Sequence, residues 1–137
     1  MTAFMSPSAS NVHLWYLATP YTSYPSGHTA AYVLACRLTA RLMCRGIPVF
    51  SPIAHSHGVA EHGQLTREHD FWVEADAPLL NACDGLIAVL ADGWGKSRGM
   101  MHEIEQKTRQ RQPVVWWDPT DDVPEALLTR TLEATYR

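Results

Sequence analysis

Two carboxyl groups and a glycine-rich turn are the features of this sequence best suited to chemistry. The turn, residues 92–99, follows an apolar run and leads into a stretch of good helix formers, so its backbone N–H groups favour an anion. Glu103 lies about one turn inside that helix, where we expect the helix N-terminus to lower its pKa and keep it ionised. Asp76 shares a helix face with Trp72 and Leu80, and these apolar neighbours are expected to raise its pKa and keep a proton available. A purely structural alternative makes Glu103 a first-turn acid and Asp76 a cap or ion-pair partner.

The turn itself has the composition of an anion site. Ser97, Gly99 and the adjoining backbone N–H groups are expected to form a phosphate cradle, with Lys96 or Arg98 as the counter-charge. The alternative is a plain connection between a strand and a helix. The sequence contains no Gly-x-x-x-x-Gly-Lys motif, which argues against a nucleoside triphosphatase.

The elements that must hold these residues alternate between strand and helix. Apolar runs predict strands at residues 12–18, 47–51, 86–90 and 114–117, and helical periodicity predicts helices at residues 28–45, 66–83, 100–111 and 124–136. Gly46 is expected to end the first helix and Pro78 to kink the second. Residues 52–65, which contain Gly58, Gly63 and three histidines, are expected to form a long functional loop or lid.

This alternation predicts an α/β fold. We expect a small doubly wound parallel sheet of the flavodoxin or Rossmann type, with four to five strands and helices on both faces. A strand order of 2-1-3-4 places the switch point between the first and third strands. Tyr16, at the end of the first strand, is expected to meet Asp76, Ser97 and Glu103 there.

Composition limits the class of protein. The 137 residues, 46% hydrophobic and 18% charged, fit one compact domain, expected at residues 12–137 after a disordered lead at residues 1–11. A formal net charge of −3 gives no electrostatic footprint for a nucleic acid polymer or an anionic membrane. No secretory signal and no apolar run of membrane-spanning length is evident. Cys36, Cys44 and Cys83 are odd in number and have apolar surroundings, so we expect reduced core thiols in a cytoplasmic protein.

Three segments resemble the nucleoside 2-deoxyribosyltransferase superfamily. They are Tyr16-Leu-Ala-Thr-Pro-Tyr, the pair of Asp76 and Asp84 eight residues apart, and Ser97-x-Gly99-x-x-x-Glu103. The resemblance covers about residues 12–115. Ser97 stands where transferases often carry Asp and where the nucleoside 5′-monophosphate N-hydrolases of the superfamily carry Ser. The chain also resembles uncharacterised bacterial and phage relatives with the pattern Phe-Ser-Pro-Ile-x-His-Ser-His.

The resemblance implies hydrolysis of the N-glycosidic bond of a nucleoside 5′-monophosphate, releasing free base and (deoxy)ribose 5-phosphate. Such a bond breaks through an oxocarbenium-like sugar, so Glu103 is expected to act as nucleophile and Asp76 as the acid at the leaving base. By its match in the family, Tyr16 orients Glu103. A retaining mechanism requires the two carboxyls about 5–5.5 Å apart. The residues expected to bind substrate are Ser97, Gly99, Thr19, Pro20, Ser51, His55, Trp94 and Trp72.

Other classes of protein stay open. A nucleoside 2-deoxyribosyltransferase would exchange bases, and a nucleotide-binding sensor would bind without turnover. His55, His57, His62 and His69 have ligand types for a zinc hydrolase, but their spacing matches no familiar site, so we expect no metal and no cofactor. We place His57 and His62 on a mobile lid and expect His102 to point away from the site. A homodimer or larger homo-oligomer is implied by the resemblance alone.

Overall fold

The computed structural model of the protein describes residues 9–128. A 3-10 turn at Ala9–Asn11 is followed by strand β1 (Trp15–Ala18), helix α1 (His28–Cys44), strand β2 (Val49–Phe50), helix α2 (Pro52–His62), helix α3 (His69–Ala82), strand β3 (Gly85–Val89), a second 3-10 turn (Trp94–Lys96), helix α4 (Arg98–Arg109) and strand β4 (Val114–Trp117). Residues 125–128 are helical, and the rest of the helix predicted at residues 124–136 lies outside the described residues. The same holds for residues 1–8 of the expected N-terminal lead, whereas residues 9–11 are helical.

The four strands form one parallel sheet in the order β2-β1-β3-β4, which confirms the predicted α/β fold and strand order. In the centre of the sheet Tyr16 pairs with Leu86 and Ala18 with Ala88. The carboxyl ends of β1 and β3 therefore lie side by side. The chain leaves β1 towards β2 and leaves β3 towards β4, in opposite directions, so a crevice opens between these two strand ends.

Side chains of the central strands alternate between two cores, one on each face of the sheet. The first core joins β1, β3 and β4 to α1, and its members include Trp15, Leu17, Leu38, Leu42, Ile87, Val89 and Trp117. The second joins β1 and β3 to α3 and α4, through Tyr16, Ala18, Leu80, Cys83, Leu86, Ala88 and Met100. Because both faces of the sheet are covered, the strands are apolar throughout. Such continuous apolar runs are typical of buried parallel strands.

Helix α2 corrects the expectation of a loop or lid at residues 52–65. Ser51 has extended backbone angles, and its Oγ accepts a hydrogen bond of 3.0 Å from the N–H of Ala54, while Pro52 occupies the first turn. Ser followed by Pro is a helix start, since the serine caps a free N–H and the proline needs none. The helix continues through Gly58, ends at Gly63 and packs against α1. Because the helix contains a glycine and three histidines, its sequence shows no clear apolar stripe.

The ends of α1 and α3 bear on the expectations for Gly46 and Pro78. Helix α3 continues past Pro78 to Ala82, so the proline does not end it. Helix α1 is followed by Gly46 in a left-handed conformation with φ of 73°, as expected for the end of a helix.

The three free cysteines differ in exposure. Cys83 is buried, Cys36 is half-buried and Cys44 is exposed, so the expectation of a core thiol is wrong for Cys44.

Within residues 9–128, no helix has the length and apolar character needed to cross a membrane.

Lys107 is completely buried although it carries an ammonium group. Its Nζ donates hydrogen bonds to the carbonyl oxygen of Cys83, to Gln110 Oε1 at 3.1 Å and to Gln112 Oε1 at 2.8 Å, which satisfies all three of its donors. Burial lowers the pKa of Lys107. Because Cys83 ends α3 and Lys107 lies on α4, this contact fixes the position of α4 beside the start of β3.

We expect Lys107→Met to lower the free energy of unfolding by about 1–3 kcal/mol, since the buried carbonyl oxygen of Cys83 loses its donor. Urea unfolding followed by circular dichroism measures the loss. Lys96→Met removes the same side chain at an exposed position and should change the value by less than about 0.5 kcal/mol. If both variants unfold at the parental urea concentration, the contact does not hold α4 in place.

Candidate active site

A cavity of about 530 Å³ lies at the carboxyl ends of β1 and β3. Its walls come from the loop after β1, from α2 and α3, and from the amino-terminal part of α4. Of the residues predicted for the site, those that line it are Tyr16, Thr19, Trp72, Asp76, Ser97, Gly99 and Glu103. The structure thus brings the two carboxyls, the tyrosine and the glycine-rich turn together, as the strand order requires.

Tyr16 forms a direct hydrogen bond with Glu103. The Oη of Tyr16 donates to Glu103 Oε2 at 2.8 Å, so the expected contact between these side chains is present. Tyr16 is completely buried, and its ring centroid lies 6.0 Å from that of Phe50. Burial first, and then the negative charge of Glu103, raise the pKa of Tyr16 far above its ordinary value. The phenol therefore stays protonated and always acts as a donor to Glu103.

The expectation that the helix N-terminus keeps Glu103 ionised is wrong. Burial raises its pKa to about 8, and the negative charge of Asp76 raises it as well, while the hydrogen bond from Tyr16 opposes this shift. Helix α4 begins at Arg98, so Glu103 lies beyond the first turn. The helix N-terminus stabilises a charge only within that turn, which explains why burial prevails.

Asp76 behaves as its apolar neighbours predict. Burial raises its pKa to about 6, and the positive charge of His55 acts in the opposite direction. On α3 it lies in line with Trp72 and Leu80, both of which also face the cavity. Since the pKa values of about 6 and about 8 belong to two interacting carboxyls, the pair with Glu103 carries a single proton near neutral pH.

The glycine-rich turn places a helix N-terminus and two cations at the cavity. Ser97 caps α4, because its Oγ accepts a hydrogen bond of 3.2 Å from the N–H of Met100. Lys96, Arg98 and Gly99 line the cavity beside it. Within the described residues neither Lys96 nor Arg98 has an ion-pair partner. This corner of the cavity is therefore suited to an anion.

The turn is held in place by the loop after β1. Ser23 Oγ donates a hydrogen bond of 2.8 Å to the carbonyl oxygen of Gly93, which has a φ of 86°. A Cβ atom at Gly93 would lie 2.2 Å from the carbonyl oxygen of Ser23, so only glycine fits there.

Four of the predicted binding residues lie outside the cavity wall. Ser51 is the cap of α2, and His55 is exposed, with its ring 5.8 Å from Phe50. Trp94 packs against Trp116 at 5.6 Å, and Pro20 is buried but does not line the cavity. Of the four, Ser51 and Trp94 therefore have structural roles in capping and packing.

Other residues line the cavity although sequence reasoning missed them or placed them elsewhere. His57 is buried on α2 and not on a mobile lid, and His102 faces the cavity and not away from it. On α2, Ile53, Ser56, His57 and Ala60 line the wall at helical spacing, a signal that becomes visible once Ser51-Pro52 is recognised as a helix start.

His57 belongs to a hydrogen-bonded chain along this wall. Tyr21 Oη lies 2.7 Å from His57 Nδ1 and accepts a hydrogen bond of 3.1 Å from Arg67 Nε. On its other side, His57 Nε2 lies 3.4 Å from Glu61 Oε2. The described part of the chain contains no group of three or more His, Cys, Asp or Glu residues placed to hold a metal ion.

We expect Glu103→Gln to stabilise the protein at high pH. The folded pKa of Glu103, about 8, lies above its ordinary value of 4.5, so the favourable protonated form is complete below pH 4.5 and is lost as the pH rises through about 8. Glutamine never ionises. Its free energy of unfolding should match the parent near pH 4.5 and exceed it at pH 9, by on the order of 5 kcal/mol. Chemical unfolding at both pH values measures this, and Glu105→Gln, an exposed position on the same helix, should show no such pH dependence. A constant difference between Glu103→Gln and the parent would contradict the raised pKa.

The comparison with known proteins gives a family but no activity. No curated protein matches the chain. A family model described as a domain of unknown function (DUF1937) matches residues 13–119. This span runs from just before β1 to just after β4 and includes every residue that lines the cavity. The chain therefore belongs to the DUF1937 family of domains of unknown function.

Proposed function

We propose that this protein hydrolyses the N-glycosidic bond of a nucleoside 5′-monophosphate. The observation that carries the proposal is the Tyr16–Glu103 hydrogen bond in a cavity that also contains Asp76. Both carboxyls have raised pKa values, and the pair carries one proton near pH 7. One acid and one carboxylate at the same site are what cleavage of a glycosidic bond through an oxocarbenium-like sugar requires.

The chemistry assigns a role to each group. A Glu103 oxygen attacks the anomeric carbon, the bond from that carbon to the base breaks, and the nitrogen of the leaving base takes the bonding electron pair and a proton from Asp76. Water then cleaves the glycosyl ester, with Asp76 taking the proton from that water. As the bond to the base breaks, the positive charge that develops on the sugar favours the ionised form of Glu103, so the proton shared by the two carboxyls passes to Asp76 and from there to the base. Tyr16 donates to Glu103 throughout.

The 5′-phosphate is best accommodated at the start of α4. Ser97, the N–H groups of the first turn, Lys96 and Arg98 supply donors and positive charge there. A Cβ atom at Gly99 would meet no other atom within 4 Å, so this part of the turn leaves space for a ligand. Glu103 follows Gly99 by four residues, about 6 Å along the helix axis, which is comparable with the separation of a 5′-phosphate from the anomeric carbon.

Two other functions are compatible with the same cavity. A 2-deoxyribosyltransferase would pass the sugar to a second base and not to water, and a sensor would bind nucleotide without releasing base. A hydroxyl at Ser97, where transferases of the resembling superfamily often carry a carboxylate, favours the hydrolase. A homo-oligomeric assembly and a cytoplasmic location belong to the same proposal and derive from that resemblance and from the composition.

Release of free base from a panel of nucleosides and 5′-monophosphates, separated by chromatography, tests the proposal. We expect release from monophosphates and its loss, by several orders of magnitude, in Glu103→Ala. Glu105→Ala is the matched control, because Glu105 lies on the same helix but is exposed and paired with Arg109. Parental base release by a folded Glu103→Ala protein would exclude Glu103 as the nucleophile, and binding without release by the parent would indicate a sensor.

Ser97→Asp separates the hydrolase from the transferase. Aspartate is as good a helix cap as serine, so the fold should be kept, while its charge repels a phosphate. We expect the preference for monophosphate over nucleoside to fall by about a hundredfold or more, since two lost charge-assisted hydrogen bonds are each worth about 1.5–3 kcal/mol. Values of kcat/KM on matched nucleoside and monophosphate, with and without a second free base, measure this. Equal use of both substrates by the parent, together with an exchanged nucleoside product, would favour the transferase.

A further inference from the structure

The wall of the cavity formed by α2 and the start of α3 contains polar groups that the proposed reaction does not use. Arg67, Tyr21, Ser56 and His57 line this wall, and Thr19 lies at the end of β1 next to it. They are separate from the carboxyl pair and from the turn before α4. Their arrangement indicates a second polar subsite in the same cavity.

Two of these groups are buried hydroxyls without a partner. Thr19 is 5% exposed and Ser56 is 7% exposed, and among the described residues neither hydroxyl oxygen has a hydrogen-bond partner. A buried hydroxyl that makes no hydrogen bond is unfavourable, and in native proteins it is nearly always satisfied by protein, water or ligand. Both residues line the cavity, but their hydroxyl oxygens are themselves covered, so a bound molecule supplies the missing partner only after a change of side-chain rotamer.

Arg67 adds hydrogen-bond donors to the same wall, on an exposed side chain that one hydrogen bond orients. Its Nε donates to Tyr21 Oη at 3.1 Å, and Tyr21 is itself held by His57 at 2.7 Å and by stacking on His28 at 4.2 Å. Within residues 9–128, the Nη groups of Arg67 have no hydrogen-bond partner. A guanidinium donates only, so this end of the cavity recognises acceptor oxygens and not amino groups.

The position of this subsite along α3 indicates which part of a nucleotide it meets. Asp76, Val73, Trp72 and His69 line the cavity on one face of α3, and His69 lies seven residues, about 10 Å, from Asp76 along the helix axis. In the proposed reaction the base leaves beside Asp76 and the phosphate lies at the start of α4. The base then extends along Trp72 and Val73, with its far edge towards Arg67.

We infer that Arg67, together with the hydroxyls of Ser56 and Thr19, binds the carbonyl oxygen at the far edge of the base. This inference rests on the proposed function and makes it more specific. The substrates it names are 5′-monophosphates of 6-oxopurines or 4-oxopyrimidines, in preference to their 6-amino and 4-amino counterparts. As the glycosidic bond breaks, negative charge spreads from the leaving nitrogen onto that oxygen, so Arg67 stabilises the transition state more than the bound substrate.

Inosine and adenosine monophosphates, and uridine and cytidine monophosphates, differ at this edge in oxo against amino and in whether the adjacent ring nitrogen carries a hydrogen. They are compared in ribo and deoxy forms. The readout is kcat/KM for base release by the parent, Arg67→Gln and Arg37→Gln. Arg37 is the matched control, because it is exposed on α1 and does not line the cavity. We expect the parent to prefer the oxo member of a pair by about 10- to 100-fold. Arg67→Gln should bring the ratio close to one through loss on the oxo substrate alone, and Arg37→Gln should keep the parental ratio.

A circular dichroism spectrum and a urea unfolding midpoint equal to those of the parent show that Arg67→Gln is folded. An equal loss on both members of a pair, or a parental oxo-to-amino ratio in Arg67→Gln, would overturn the inference and leave the proposed function standing. Loss of the preference for monophosphates over nucleosides in Arg67→Gln would also overturn it, since Arg67 would then bind the phosphate.

A binding measurement separates failure of the inference from failure of the proposed function. Calorimetric titration of Glu103→Gln with the same four monophosphates, with and without Arg67→Gln, measures the oxo preference without turnover. If the parent releases no base from any substrate, the proposed function fails. In that case, selective binding of oxo nucleotides that depends on Arg67 still supports the subsite, and binding of both members with equal affinity, or of neither, refutes it.

Discussion

The parallel pairing of β1 with β3 is the constraint on which the rest of the structure depends. Because Tyr16 pairs with Leu86 and Ala18 with Ala88, the two strands end at the same level, and the chain departs from them in opposite directions. The crevice above these ends is the cavity. Tyr16 belongs both to the core beneath the cavity and to the site, since it packs among α3 and α4 residues while its Oη bonds to Glu103. The position of the carboxyl is thereby set by the register of the sheet.

Helix α4 must be fixed at both ends for Glu103 to meet Tyr16. At its carboxyl end, buried Lys107 binds the end of α3 through the carbonyl oxygen of Cys83. At its amino end, Ser97 caps the helix, and Gly93 is hydrogen-bonded to Ser23 in the loop after β1. Both contacts join segments far apart in sequence, 24 residues in one case and 70 in the other. Glu103 and Tyr16 are therefore held by a helix and a strand and not by a loop.

The parts of this arrangement that follow from local pattern could be predicted from the sequence. The strand order, α4 and the shared face of Trp72, Asp76 and Leu80 all depend on periodicity and on connection rules, which act over short stretches. Helix α2 was missed because its start depends on the cap Ser51-Pro52, whereas its interior holds a glycine and polar histidines. A cap is a weaker signal than an apolar stripe, so a loop was the wrong interpretation.

The cavity wall that contains Tyr21, His57 and Arg67 could not be predicted for a different reason. Tyr21 contacts His57 across 36 residues and Arg67 across 46, and no periodicity in one segment encodes such contacts. The raised pKa of Glu103 was likewise inaccessible, because it is set by the depth of the cavity and by Asp76 on another helix. The local sequence indicates only the effect of the helix N-terminus on the pKa, and this effect does not extend beyond the first turn. Chemistry that depends on burial thus needs the three-dimensional structure.

The protonation of Glu103 bears on how the cavity would act. A neutral side chain at position 103 would stabilise the fold more than glutamate does. Burial disfavours the ionised form of Glu103, and the negative charge of Asp76 disfavours it further. The opposing contribution comes from Tyr16, which can only donate and so favours the ionised form. One hydrogen bond does not outweigh burial, which leaves the carboxylate dependent on a positive charge arriving from outside. A sugar that develops cationic character at its anomeric carbon brings such a charge only as the bond to the base breaks. The cavity therefore disfavours the carboxylate form of Glu103 in the ground state and would stabilise it where the proposed reaction has its transition state, which is the condition for catalysis by differential binding.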